Sequence, residues 1–152
     1  LGSGEWSILP GTMPVTLSQA GITVADNDII IAGGMTSTGQ ASREVYVFNV
    51  QSLDWRRLPS IPLGLIAPAL GVLSDGVHVV GGYTNEPLKT HSRHYLLATK
   101  ARKWQNIEPL PEARHHAGYA VVDDQLIVMG GAVGSGFFAP FTATDTVYIF
   151  KP

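Results

Sequence analysis

The chain has 152 residues, the length of one domain of ordinary size with room for a sizeable core. Ten Lys and Arg against twelve Asp and Glu leave a formal charge of −2, which excludes the concentrated positive charge that nucleic acid or an anionic membrane surface requires. Cysteine is absent, removing disulfides, thiolate metal sites and a cysteine nucleophile, and 17 Gly with 10 Pro in a 45% hydrophobic chain describe a folded protein that turns often.

In chain order, the first phrase is Trp6-x-x-Leu9-Pro10. A turn at 25–28 leads into a β-branched run at 29–32 that stops at Gly33-Gly34, and a strand is predicted at 44–48 around Tyr46. The phrase then returns as Trp55-x-x-Leu58-Pro59. The order repeats with a turn at 74–76, a run at 77–80, Gly81-Gly82, Tyr95, a small basic turn of Lys100, Arg102 and Lys103, and Trp104. It repeats again with a turn at 123–124, a run at 126–129, Gly130-Gly131, and a strand at 146–150 around Tyr148. Residues 88–108 lack Gly and Pro and permit a helix, but Tyr95 and Trp104 keep the separation of nine seen for Tyr46 and Trp55, which predicts strands instead. No apolar run reaches the ~20 residues of a membrane helix. The chain is therefore expected to be soluble, with no signal segment in it and its compartment open; Leu1 at its start fits a processed or an excised segment.

The spacing is regular. Both gaps between tryptophans are 49 residues, and the Gly-Gly pairs are 48 and 49 apart. A unit of about fifty residues carrying Gly-Gly, then Tyr, then Trp nine further on resembles the kelch repeat. The resemblance covers essentially the whole chain and implies an all-β fold of four-stranded antiparallel propeller blades around a channel. On that pattern residues 1–10 are an outermost strand completing a neighbouring blade. Residues 15–59 and 64–108 are blades, and 113–152 is a blade lacking its last strand. Three blades are fewer than the ~4–8 of closed propellers. Two expectations follow: a second copy joins head to tail to make a six-bladed ring, or the chain is half of a longer propeller.

The resemblance also implies that the loops before each blade's first strand (14–19, 62–68, 112–116) and those between its second and third strands (35–43, 83–91, 132–144) share the channel mouth, where ligands sit. Candidate binding residues there are Gln19, Arg43, Asn85, Glu86, His91, Arg114, His115, His116, Phe137 and Phe138. Arg114 matches an arginine common in kelch units and has a structural reading in bridging loops. Phe137, Phe138 and Phe141 either cover a blade end or form a platform. His91 and His94, three apart in a strand, point to opposite faces, so no metal site is expected, and no phosphate loop, dinucleotide fingerprint or nucleophile elbow is present.

Two functions compete. The first is a binding module without cofactor, holding a peptide, protein or sugar ligand at the mouth. The second is a carbohydrate isomerase of the sialic-acid mutarotase kind, with His116, His115, Arg114 and Glu86 as proton donors and acceptors. A copper radical oxidase such as galactose oxidase needs a Cys–Tyr cofactor, which this sequence does not supply.

Overall fold

The computed structural model describes residues 4–9 and 11–152, the side chains of Phe137, Phe138 and Pro140 excepted. The strands in chain order are β1 (Leu17–Ser18), β2 (Gly21–Ala25), β3 (Asp28–Ala32), β4 (Met35–Thr36), β5 (Val45–Asn49), β6 (Trp55–Leu58), β7 (Ala69–Leu73), β8 (Gly76–Val80), β9 (Tyr83–Asn85), β10 (Leu88–Thr90), β11 (His94–Ala98), β12 (Gln105–Asn106), β13 (Gly118–Val122), β14 (Gln125–Met129) and β15 (Val147–Phe150). They form two four-stranded antiparallel sheets, β2-β3-β5-β6 and β7-β8-β11-β12, and a three-stranded sheet, β13-β14-β15. Their strand number and antiparallel order match the blades that the repeat predicts.

Turn chemistry fixes the register. Asp123 and Asp124 have φ of 49° and 57°, the double left-handed geometry of a two-residue hairpin, and they set Val122 opposite Gln125. Asp26, at φ 52°, opens the matching turn in blade one, where Ala25 faces Asp28. The paired glycines work between blades. Gly34 N–H donates to Leu65 O and Gly82 N–H to Arg114 O, each at 2.8 Å, so both of these pairs receive the lead-in loop of the next blade. A Cβ on Gly81 would lie 2.6 Å from Arg114 O, and Gly81 has φ +68°, so only glycine fits.

Between blades one and two, Ile30, Val45, Val47, Leu65, Leu70, Val79 and Tyr95 form one buried cluster, with Trp104 packed against it. Trp104 Nε1–H donates to Pro59 O at 2.7 Å. A smaller cluster with Ala69, Leu73, Val80, Leu126 and Val128 lies between blades two and three. Two features differ from a plain blade pattern. The mouth loops carry short ladders of their own, β1 with β4 and β9 with β10, and residues 132–144 include a 3-10 helix, Gly136–Phe141. Residues 4–9 lie in no strand, and Trp6 and Ile8 are fully exposed. Leu1, Gly2, Ser3 and Pro10 of the expected outermost strand lie outside the described residues. Among the described residues no helix is long and apolar enough to cross a membrane.

Candidate functional site

The loops leading into the three blades end on the same backbone conformation. Gln19, Ala67 and His116 have φ of 54°, 51° and 53°, left-handed values that side-chain-bearing residues seldom adopt. Main-chain bonds string them together: Ala67 N–H donates to Gln19 O at 2.8 Å, and His116 N–H donates to Ala67 O at 3.2 Å. The string follows the mouth from blade one to blade three. The neighbouring blades thus hold one repeated position in a left-handed conformation, which fixes the direction of the side chains at Gln19 and His116.

Two of the three side chains meet. His116 Nε2 lies 2.7 Å from Gln19 Oε1, and His116 Nδ1 lies 2.5 Å from His115 Nδ1. The buried His115 anchors the pair through Nε2, which donates to Gly134 O at 2.8 Å. Tyr83 packs its ring on both imidazoles, with centroids 4.9 and 5.9 Å away, and its hydroxyl donates to Gln19 Oε1 at 3.3 Å. His116 separates two cavities. One, of about 200 Å³, is lined by Gln19, Ala67, Pro68 and Tyr119; the other, of about 330 Å³, by Tyr83, Leu88, His115 and Ala139.

Proton counting shows what this group can do. Gly134 O and Gln19 Oε1 both accept, so two imidazoles bridging them need three N–H protons and carry one charge. With the Gln19 amide turned to donate, two protons suffice and the pair is neutral. Burial first, then the neighbouring His115, pulls the His116 pKa below its ordinary value, which favours the neutral form near pH 7. The site thus offers either a donor or an acceptor at His116.

The other candidates are held elsewhere. Arg114 is 1% exposed; its guanidinium donates to Gly130 O, Thr146 O, Thr146 Oγ1 and Glu112 Oε2, with Cζ 4.5 Å over the Tyr148 ring. His91 is buried against Thr84 Oγ1 at 3.1 Å, and burial lowers its pKa. Arg43 Nε–H donates to Ile61 O at 2.8 Å. Asn85 Nδ2–H donates to Gly39 O, tying two mouth loops together. Glu86 is exposed at the β9–β10 turn. The side chains of Phe137 and Phe138 lie outside the described residues.

Sequence reasoning missed Tyr83, whose repeat position gives no hint of its contact with blade three. It also missed a second imidazole pair. Asp75 Oδ1, His78, His94 and Glu108 O form a chain with steps of 2.7, 2.9 and 3.0 Å between blades two and three. Glu108 O requires a proton on His94 Nδ1, leaving His94 Nε2 to accept from His78 Nδ1. His78 Nε2 faces the Asp75 carboxylate at the other end of the chain.

Comparison with known proteins agrees with the blades and glycine pairs. A family model described as the Kelch motif matches residues 16–62. Residues 16–62 are thus a kelch motif. It is 29% identical over 140 residues to Kelch-like protein terF of Aspergillus terreus, covering 85% of this chain and 30% of that protein. Kelch repeat and BTB domain-containing protein 2 of cowpox virus (strain GRI-90) is 26% identical over 127 residues, covering 84% of this chain and 22% of its own length. Beta-scruin of Limulus polyphemus is 29% identical over 140 residues, covering 88% of this chain and 15% of its own. The chain spans less than a third of the length of each of these relatives.

Proposed function

We propose that this kelch-repeat chain is a binding module whose mouth holds a protein or peptide partner, and that it associates with a second copy to close the ring. The observation that carries the first part is the string Gln19–Ala67–His116, a repeated left-handed position that aims polar side chains from different blades at one point. Tyr83 adds an aromatic surface with a polar tip, a combination suited to peptide recognition.

The association is supported by the two flanks. Ile22 and Val24 are exposed on blade one, although Leu70, at the repeat position of Ile22 in blade two, is fully buried. Blade three exposes Val122, Met129, Val147 and Ile149 on its far face. Apolar flanks of this kind are surfaces that blades bury against one another. The carbohydrate-isomerase reading has thinner support. Of its four groups, Arg114 is committed to blade three and Glu86 has no bond to either histidine among the described residues.

Selection of peptides from a random display library, followed by NMR titration of a selected peptide, tests the first part. The expected result is shifts at Gln19, Tyr83, His115 and His116, with affinity falling about tenfold or more in His116→Ala. Peptides that shift only other surfaces overturn it, as does His116-dependent acceleration of anomeric exchange in a free sugar without any selected peptide.

A further inference from the structure

At the left-handed position that ends each lead-in loop, blades one and three carry the long polar side chains of Gln19 and His116, whereas blade two carries only the methyl group of Ala67. The smaller of the two mouth cavities, about 200 Å³, lies there. Its walls include Ala20, Ala67, Pro68 and Ala117. The larger, about 330 Å³, has Tyr83, Leu88 and Ala139 among its walls, and His116 lines both. A cavity of roughly 150 Å³ is enough to hold a benzene ring, so each has room for one branched or aromatic side chain.

We propose that the mouth reads an extended peptide with apolar side chains at positions i and i+2, one in each cavity, straddling His116. Spacing supports the pattern. Side chains in van der Waals contact with the two sides of one ring each stand about 3.5–4 Å from it, so they lie about 7–8 Å apart. Alternate residues of an extended strand point the same way about 6.4–6.8 Å apart, which matches that separation. Adjacent residues point to opposite sides and cannot fill both cavities.

Polarity narrows the occupant. Among the described residues neither cavity is lined by Lys, Arg, Asp or Glu, so no charge on the anchors is called for. Ala20, Ala67, Pro68 and Ala117 present hydrocarbon side chains alone, which suits an apolar group and not the hydroxyls of a sugar ring. Between the cavities the chemistry changes. Gln19 Oε1 meets His116 Nε2 and the Tyr83 hydroxyl, while the Gln19 amide nitrogen has no hydrogen-bond partner among the described residues. That nitrogen is placed to donate to a peptide carbonyl beside residue i+1; turned over, the same amide offers its oxygen to a peptide N–H.

This inference rests on the binding-module reading above and adds to it the pattern that the partner carries. Two acetylated and amidated peptides of one composition, Ser-Phe-Ser-Phe-Ser and Ser-Phe-Phe-Ser-Ser, differ only in the spacing of their apolar residues. In NMR titrations the first is expected to shift Ala67 and Ala117 on one side of His116 and Tyr83 and Leu88 on the other. It is expected to bind at least about tenfold more tightly than the second. Two substitutions test the cavities separately. Ala67→Gln fills the smaller one with the side chain that Gln19 carries on the same backbone, and Leu88→Ser, at a half-exposed position, opens the larger one. Each is expected to remove most of the tenfold preference. Equal affinities of the two peptides overturn the proposal, as does a preference that survives both substitutions, or binding by neither peptide. The module reading is judged separately by the display selection: selected peptides that shift Gln19 and His116 without apolar residues at i and i+2 overturn the paired cavities and leave the module standing.

Discussion

At the scale of single residues, the protein places histidines in two kinds of surroundings and gives each a different task. His116 stands at the mouth between two cavities, and its ring is aimed by a left-handed backbone that Ala67 shares. His94 is buried between blades, and burial pushes its pKa down to about 4 from an ordinary 6.5. Between those values the unfolded chain binds more protons than the folded one, so stability rises with pH there. It is complete above about pH 6.5 and lost progressively as pH falls toward 4. The difference corresponds to at most about 3 kcal/mol. Asp28 and Asp124 act in a lower window. Hydrogen bonds, from Asn49 first in one and from Ser74 in the other, lower their pKa below 3.8, so their stabilisation is lost only in more acid solution. Urea titrations at intervals from pH 7 to pH 4 are expected to show the decline in the wild type and a flatter profile in His94→Gln; equal slopes in the two proteins contradict this account.

At the scale of the element, what recurs three times is legible in the amino-acid sequence. The glycine pairs and the hairpin turns recur in all three units and the Tyr–Trp spacing in two, because each blade solves the same backbone problem. The reason for the glycines is visible only in three dimensions: the next blade's lead-in loop bonds to the pair. A sharp contrast follows. At Gly81 an added methyl group meets Arg114 O at 2.6 Å, whereas at Gly130 the nearest atom, Thr144 O, is 3.4 Å away, with positive φ at both. Gly81→Ala is expected to cost about 2–4 kcal/mol and Gly130→Ala about 1–2 kcal/mol in equilibrium unfolding. Contacts made once leave no such trace. Tyr83 reaching His116 depends on which side chains face each other across a seam, and His78 reaching His94 on which share one face of neighbouring strands in a single sheet, and no repeat spacing encodes either. Arg114 illustrates the same limit: it stands two residues before His116, yet its side chain turns into the blade toward Thr146, while that of His116 turns outward to Gln19.

At the scale of the whole molecule, the blades must hold their angle around an axis where strand edges lie bare. β2 is the inner edge of blade one, and its pairing with β3 leaves one side of the strand without a ladder. Tyr119, from β13 of blade three, reaches across to it. Ile22 N–H donates to Tyr119 Oη at 2.7 Å, and the phenol donates back to Ile22 O at 3.2 Å. Burial raises the pKa of Tyr119, keeping the phenol protonated so that it can donate as well as accept. This single side chain therefore ties the first and last blades together beside the mouth, where it also lines the cavity shared with Gln19 and His116. Tyr119→Phe keeps the packing and removes both bonds, at an expected cost of about 1–2 kcal/mol. If the phenol fixes the angle between blades, the effect extends beyond stability. Amide exchange at Ile22 is expected to accelerate, and peptide affinity at the Gln19–His116 site to fall although no residue in the string has changed. Unaltered exchange at Ile22 in the Phe variant refutes the tie, because an edge N–H that has lost its acceptor has no other source of protection.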